Sequence, residues 1–387
     1  MRTAVAAASA DTITQRRRVR PVARGGVATR AGAGCQEREP VVETTAPLRA
    51  GDVEDGQSGF IAADVGGTFA RLGLAHGGPG APEVIAQRRY ACAEFPSLAA
   101  VLRQFGQELQ AAGQGQAPSA AVVAIAGVLQ GDRLLNSNLP WPVSLAATRS
   151  HAGLQDLQLI NDFQALAWAL PQLSPGQMLP LHADAALVPR LPALLLGPGT
   201  GLGAALVLSE GGGYRVLPSE AGHAALGAGN ALELEILRRL QDQFEHVDNE
   251  RILSGTGLVR LYAALCMQQG QAPRWHTPAE VIAAADAGDD PLATQCLEVF
   301  CAWLGSLAGD LAITFCAGTV YLAGGITGHI GQHLSRGGFL RRFLDKGVLA
   351  PALQQVPVFR IEHGWLGIVG AAAWYRARHT GTTFRAR

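Results

Sequence analysis

The sequence predicts an α/β protein with a large apolar core, built from two similar halves. Of its 387 residues, 48% are hydrophobic, 16% are charged and 48 are glycine. This composition is typical of a compact enzyme with many tight loops and argues against a mostly disordered chain. The length allows two or three ordinary domains.

Two halves are indicated by the segments Phe60–Ala75 and Ala193–Leu208, which have equal length and align Gly66 with Gly199. Each reads as an apolar strand, a glycine turn with a threonine, and a second apolar strand.

Asn161 and Asp162 stand at the carboxyl end of a predicted strand. In the stretch LQLINDFQALAWAL, Leu157–Ile160 predicts the end of a buried strand, and the residues from Phe163 onward predict a helix. Open α/β sheets bind ligands at the carboxyl ends of their strands, so Asp162 is a candidate for chemistry. Taken alone, Asp162 has a second interpretation, since Asp commonly caps the start of a helix.

The rest of the ordered pattern begins at Gly59 and becomes mainly helical in the second half. Thr277 and Glu280 have the spacing of a capping box. The remaining predicted elements are the strands Ala120–Leu129 and Gly318–Ile326 and the helices Phe95–Ala112, Asn230–Phe244, Thr256–Gln268, Thr277–Ala287, Ala293–Phe315 and Leu366–Arg378.

Three glycine turns after strands are candidates for phosphate or nucleotide binding. Glycines let backbone N–H groups approach a phosphate with no side chain in the way. Asp64 precedes the first turn and adds a carboxylate that is suited to Mg²⁺, held directly or through water. The chain has no G-x-x-x-x-G-K-[ST] and no G-x-G-x-x-G, which argues against P-loop and Rossmann sites. The turn residues are Gly66, Gly67 and Thr68, then Gly199, Thr200 and Gly201, and finally Gly324 and Gly325.

Charge and cysteine usage limit the partners, metal sites and cellular compartment that we expect for this protein. Lys+Arg and Asp+Glu balance at 31 each, so no net field favours nucleic acid or an acidic membrane as a partner. No uninterrupted apolar run reaches the roughly 18 residues of a membrane helix. The six cysteines are scattered without a C-x-x-C pair, which suggests neither zinc nor disulfides and points to a reducing cytoplasm.

Residues 1–58 differ in kind, because they are rich in arginine, have Asp11 as their only acid before Glu37 and show almost no apolar periodicity. We interpret them as a disordered extension, or as translated sequence upstream of the true start. An organelle transit peptide is the alternative. A basic arm for nucleic acid is less favoured, since no aromatic residue accompanies the arginines.

Paired glycine hairpins and an apolar strand ending in Asp describe the actin-like, or ribonuclease-H-like, ATPase fold, in which a nucleotide lies in a cleft between two domains. Seven motifs then make the resemblance specific. They occur in the order seen in bacterial glucokinases, ATP-dependent hexokinase-like sugar kinases, and the similarity runs from about Phe60 to Tyr375. The motifs are ADVGGTFARLGLA, NLPW, LINDFQALAWALP, GPGTGLGAAL, PSEAGHAAL, ERILSGTGL and VYLAGGI. The cysteine-rich zinc motif of a related branch is absent, so the chain resembles the zinc-free branch.

The resemblance implies the transfer of the ATP γ-phosphoryl group to the 6-hydroxyl of D-glucose, the first step of glycolysis, with Mg²⁺ as cofactor. It also implies a small domain of residues 59–171 plus 364–387, a large domain of residues 172–363, and a homodimer. Two alternatives stay open. One is a kinase for another hexose, and the other is a non-catalytic sugar-binding regulator on the same fold.

By resemblance, Asp162 is the catalytic base that takes the proton of the sugar hydroxyl. Asp64 and the three glycine turns stay the candidates for Mg²⁺ and ATP binding that their residue types indicate. Taken alone, His223 has the alternative of a core or surface histidine, and Glu250 that of a solvated ion pair with Arg251. The residues that the resemblance assigns to the sugar are Asn138, Asn161, Asp162, Glu220, His223 and Glu250.

The main departure from the family pattern is Phe69, where the first hairpin usually continues Gly-Gly-Thr-Asn. The expectation is that a polar group near the cleft is replaced by a large apolar one, which would weaken binding or closure. Phe69 is the only sequence support for the regulator. Ala221 stands where the family often has Gly, a change that costs little unless the backbone there is left-handed.

Overall fold

A computed structural model describes residues 59–76, 82–135, 139–183, 187–362 and 364–380, in which runs of strands are followed by runs of helices. The strands are β1 Phe60–Val65, β2 Phe69–His76, β3 Glu83–Ala91, β4 Ala120–Ile125, β5 Val128–Gln130, β6 Arg133–Leu135, β7 Val143–Ser144, β8 Asp156–Ile160, β9 Met178–His182, β10 Ala193–Pro198, β11 Leu202–Glu210, β12 Gly213–Ser219, β13 Thr319–Leu322 and β14 Val358–Ile361. The helices are α1 Leu98–Ala111, α2 Leu145–Ala152, α3 Asp162–Ala169, α4 Ala231–Gln241, α5 Gly255–Gln268, α6 Pro278–Ala287, α7 Pro291–Thr314, α8 Gly325–His329, α9 Gly331–Ser335, α10 Gly338–Leu344, α11 Ala350–Leu353 and α12 Leu366–Thr380. The predicted extension of residues 1–58 lies outside the described residues.

Two large sheets share one topology. The first has the order β3-β2-β1-β4-β8, in which β1 pairs antiparallel with β2 and parallel with β4. The second has the order β12-β11-β10-β13-β14-β9, in which β10 pairs antiparallel with β11 and parallel with β13. Only β9, antiparallel at the edge, has no counterpart in the first sheet. This correspondence confirms the predicted pair of similar halves.

The two hairpins also agree in register. The last paired residues are Val65 with Ala70 in the first hairpin, and Pro198 with Leu202 in the second. Gly66 and Gly199 therefore open the two turns, as the alignment of the two segments predicts. The N–H of Gly66 donates to the Phe69 carbonyl at 3.0 Å, and that of Gly199 donates to the Gly201 carbonyl at 2.8 Å. The first turn is one residue longer, so the second strands are offset by one.

Helix boundaries follow the caps more closely than the apolar pattern. The predicted helix Phe95–Ala112 begins only at Leu98, because the Ser97 side chain accepts a hydrogen bond from the N–H of Ala100 and caps the helix there. The capping box of Thr277 and Glu280 is confirmed at the start of α6.

Two predicted strands are shorter than expected because a glycine in the left-handed region ends each of them. The predicted strand Ala120–Leu129 stops at Ile125 and resumes as β5, since Gly127 has φ 121°. The predicted strand Gly318–Ile326 stops at Leu322, since Gly324 has φ 89° and α8 begins at Gly325. These values are strained for residues with a Cβ, so the chain turns at the glycines.

The last helix returns to the first sheet. α12 packs along α3 and against β1 and β4. The helices touch at Gly370, where a Cβ would overlap the Ala165 carbonyl, so only glycine allows this spacing. These contacts support grouping α12 with the first half. The exact bounds of a small and a large domain stay a prediction.

α7 is the one described helix that is long and apolar enough to cross a bilayer by length and composition. Its most apolar window is 72% buried inside the fold. Gly305 and Gly309 let the backbone of α10 approach it at Phe339 and Phe343. α7 is therefore a core helix of the second half.

Candidate active site

A cleft of about 700 Å³ lies where the carboxyl ends of β1, β4, β8, β10 and β13 converge. Most of the site residues that the sequence predicts line it. They are Asp64, Gly66, Gly67, Asn161, Asp162, Gly199, Thr200, Gly201, Glu220, Glu250, Gly324 and Gly325. Thr68 and His223 are not among its lining residues, and Asn138 lies outside the described residues. The cleft thus brings together parts of all three glycine turns and four carboxylates.

Asn161, rather than Asp162, caps the helix that follows the strand. The Oδ1 of Asn161 accepts the N–H of Gln164 at 3.0 Å, which leaves the Asp162 carboxylate available to the cleft. The Oδ1 of Asp162 accepts the N–H of Phe163 at 2.9 Å. Burial raises the pKa of Asp162, and the bond from Phe163 partly opposes that rise. Asp162 is therefore not the residue that caps this helix.

Asp64 is the second partly buried carboxylate of the cleft. Burial raises its pKa from 3.8 to about 6, the positive charge of Arg71 opposes this rise, and the negative charge of Asp162 adds to it. The Oδ2 of Asp64 lies 3.6 Å from Nη1 of Arg71, its cross-strand neighbour. Gly367 of α12 packs directly on the carboxylate, where a Cβ would come within 2.8 Å of Asp64 Cγ. Among the described residues that line the cleft, Arg71 is the only one with a cationic side chain.

The turn of the second hairpin lines the cleft with two glycines and a threonine. The Gly199 carbonyl accepts the N–H of Gly255, the first residue of α5, at 2.8 Å. Gly324 approaches the Pro198 carbonyl so closely that a Cβ would overlap it. The turn is therefore packed against the starts of α5 and α8, and its residues Gly199, Thr200 and Gly201 carry no side chain larger than that of threonine. This suits a phosphate ligand.

Three of the residues predicted to bind sugar, Glu220, His223 and Glu250, lie on or next to two short helical turns. The Oε2 of Glu250 accepts the N–H of Leu202 at 2.8 Å, which holds this carboxylate at the cleft. Arg251 lies 4.0 Å from Asp248, so the interpretation of Glu250 as an ion pair with Arg251 is wrong. The side chain of Glu220 is 87% exposed and its Oε2 lies 4.0 Å from His223 Nε2.

Two residues that the sequence analysis missed hold these turns together. The Nδ2 of Asn249 donates to the carbonyls of Ala221 and Ala224, at 3.2 and 3.0 Å. The Oδ2 of Asp248 lies 3.5 Å from His223 Nδ1. The side chain of His223 is 60% exposed, so it is not a core histidine. The sequence offers only one indication of their role, namely that the two residues directly precede Glu250.

The expected position of the Phe69 ring in the cleft is wrong, and its expected effect on binding or closure stays a prediction. Phe69 is half-buried, and Arg89 Cζ lies 4.0 Å from its ring centroid. It is not among the residues that line the cleft. The neighbouring strand β3 covers it, so a large apolar group at position 69 is not placed in the cleft. Ala221 is compatible with its position, because Cys316 is the only described non-glycine residue with positive φ.

Duplicated sheets, with a cleft between their carboxyl strand ends and a partly buried aspartate at the end of one strand, define this chain as a protein of the actin-like ATPase fold. Residues 61–378 match the family model described as Glucokinase. The chain belongs to the glucokinase family, and it is an ATP-dependent sugar kinase.

Known proteins agree with this assignment. The chain is 44% identical over 321 residues to a glucokinase-like protein of Xylella fastidiosa, covering 82% of this chain and 94% of that one. A glucokinase structure from an Antarctic psychrotroph superposes with a TM-score of 0.71 at 30% identity, covering 82% of this chain and 98% of that one. A glucokinase of Balamuthia mandrillaris in complex with glucose superposes with a TM-score of 0.65 at 22% identity, over 84% and 94%, and shares the fold.

Proposed function

We propose that the chain transfers the γ-phosphoryl group of ATP to the 6-hydroxyl of D-glucose, and that Asp162 is the base. The observation that carries the proposal is the Asp162 carboxylate, which lines the same cleft as the glycine turn Gly199–Gly201 while Asn161 caps α3. Membership of the glucokinase family supports glucose as the acceptor.

Sugar binding is assigned to groups that match a hexose. A hexose presents several hydroxyls that each donate and accept hydrogen bonds. Carboxylates accept hydrogen bonds from these hydroxyls, and an amide both donates and accepts, each in fixed directions. Asn161 and Asp162 approach from the first half, and Glu220 and Glu250 from the second. His223 would join them through Glu220, and Asn138 is assigned by family resemblance alone.

In the transfer step, Asp162 accepts the proton of the 6-hydroxyl as the sugar oxygen bonds to the γ-phosphorus. The bond from that phosphorus to the bridging oxygen breaks, and ADP leaves. A raised pKa makes Asp162 a stronger base. The turn Gly199–Gly201 would hold the phosphates through backbone N–H groups, and positioning with charge neutralisation supplies most of the rate.

Asp64 fits a role in holding Mg²⁺. It is a partly buried carboxylate whose pKa stays raised by burial despite the positive charge of Arg71, so a further cation beside it would stabilise its charged form. No cluster of three or more metal-binding side chains occurs among the described residues. This suits Mg²⁺, which is usually bound by one or two carboxylates together with substrate phosphates. When bound, the ion would neutralise charge on the phosphate oxygens.

The proposal includes a cytoplasmic homodimer, and a small domain of residues 59–171 plus 364–387 beside a large domain of residues 172–363. A kinase for another hexose remains the alternative, since the cleft groups specify hydroxyl recognition without fixing the tolerance at each carbon. The non-catalytic regulator has lost its support, because Phe69 does not line the cleft.

The test is ATP-dependent formation of glucose 6-phosphate by the purified chain beside Asp162→Asn. Loss of the base is expected to lower kcat about 10²- to 10⁴-fold. Asp156→Asn is the matched control: this carboxylate of β8 accepts a hydrogen bond from Tyr375 Oη and is not among the residues that line the cleft, so its turnover should be unchanged. A kcat of Asp162→Asn within a fewfold of the parent contradicts the proposal. Faster turnover of mannose, fructose or an amino sugar would reassign the substrate.

A further inference from the structure

Phe163, which directly follows the proposed base, reaches from the first half of the fold into the second. Its ring lies against Gly197 of β10 and Gly203 of β11, which are paired in register. A Cβ on Gly197 would come within 2.6 Å of Phe163 Cζ, and a Cβ on Gly203 would overlap the ring itself. We call the space over Gly197 and Gly203 the glycine socket. It is open to the ring only because neither residue has a side chain.

The glycine socket lies at the base of the turn that is proposed to hold the phosphates. Gly197 precedes Gly199 by two residues, and Gly203 follows Gly201 by two. On its other side, the backbone N–H of Phe163 donates to the Oδ1 of Asp162 at 2.9 Å. One residue therefore touches both the proposed base and the hairpin that carries the phosphate turn.

We propose that Phe163 is a positioning residue, whose ring in the glycine socket sets the separation between the Asp162 carboxylate and the Gly199–Gly201 turn. The inference rests on the proposed function. Reacting atoms must lie roughly 3–3.5 Å apart, and a displacement of about 1 Å costs up to about 100-fold in rate. Phe163, Gly197 and Gly203 line the cleft themselves, but the groups proposed to hold the sugar and the nucleotide are others, so we expect the contact to act on the transfer step.

Gly203→Ala is the primary test. Its methyl group must push the ring out by about 1 Å, so kcat is expected to fall at least about 10-fold. The KM values for glucose and ATP should stay within about threefold, since uniform binding is not removed. Adding Phe163→Leu to Gly203→Ala makes room again and should restore much of the lost kcat. Phe163→Leu alone should lower kcat with the same split.

Phe105→Leu is the control for lost aromatic packing. Phe105 is fully buried on α1 in the core of the first sheet and is not among the residues that line the cleft. It should lower the unfolding temperature and leave kcat unchanged.

An active parent with an unchanged kcat in folded Gly203→Ala overturns this inference alone, as does a kcat loss that Phe163→Leu fails to relieve. If Gly203→Ala does not fold, an unchanged kcat in Phe163→Leu overturns it instead. A parent without turnover of any hexose overturns both the inference and the proposed function.

Discussion

Asp64 and Gly197 occupy the same register position in the two hairpins, one step before the last paired residues, and only Asp64 carries a side chain. Asp64 pairs across the first hairpin with Arg71, and Gly197 pairs across the second with Gly203. The first pair is an ion pair at the cleft, and the second pair leaves a space that Phe163 fills. The two halves therefore differ at this register position, where Asp64 of the first half is proposed to hold Mg²⁺.

Asp64→Asn is expected to stabilise the metal-free protein at neutral pH. The folded protein keeps the Asp64 proton to a higher pH than the unfolded chain, because its pKa is raised from 3.8 to about 6. The free energy of unfolding therefore falls as pH rises from about 4 to about 6 and stays lower above that range. We expect the variant to be more stable by about 1–3 kcal/mol at pH 7.5. The gain should vanish near pH 4, as measured by urea unfolding in EDTA.

Asp132→Asn is the control with the opposite sign. The hydrogen bond from Ser144 lowers the pKa of the exposed Asp132, and so does the N–H of Ala146. This carboxylate stabilises the fold above its ordinary pKa and loses that effect as the pH falls. Its variant should be less stable than the parent at pH 7.5. An Asp64→Asn protein that is also less stable there would contradict the raised pKa of Asp64.

Asn249→Ala is expected to weaken glucose binding without affecting ATP. Asn249 is 4% exposed and links the turn that carries Glu220 and His223 to the turn that carries Glu250. Losing these bonds costs about 1 kcal/mol, or roughly fivefold in the KM for glucose. Steady-state kinetics with each substrate varied in turn would measure it.

Asn230→Ala is the matched control, because Asn230 caps α4 and is not among the residues that line the cleft. It should cost about 1 kcal/mol of stability and leave both KM values unchanged. Equal rises of the KM values for glucose and ATP in Asn249→Ala would show that the whole cleft is disturbed. They would contradict a specific role of Asn249 in glucose binding.

Phe69→Asn is expected to leave kcat and both KM values within about twofold to threefold, because the ring is covered by Arg89 and is not placed in the cleft. The protein should lose about 1–2 kcal/mol of stability with the apolar and cation–π contacts. Thermal unfolding beside the kinetic assay would test both statements. A tenfold gain in activity would show that Phe69 does obstruct the cleft.

The sequence predicted what local patterns control. Asp162 at a strand end, the glycine turns and the cap at Thr277 each depend on residues a few positions apart. The position of Phe69 depends instead on β3 and Arg89, whose register no local pattern reveals. Likewise, the contacts of Phe163 with Gly203, and of Asn249 with Ala221, join distant segments without any periodic signal. Asn138 lies outside the described residues, so its predicted role stays a prediction.

The packing of α12 also affects how the protein is synthesised. β1, β4, β8 and α3 leave the ribosome early, whereas α12 begins only at Leu366. Until then the face of the first sheet that includes Ala62, Val122 and Ile160 lacks the helix that covers it. A nascent chain carries this bare apolar surface through most of its translation and needs protection from aggregation there. A ribosome that stalls before Leu366 would therefore release an aggregation-prone fragment, and not a weaker enzyme.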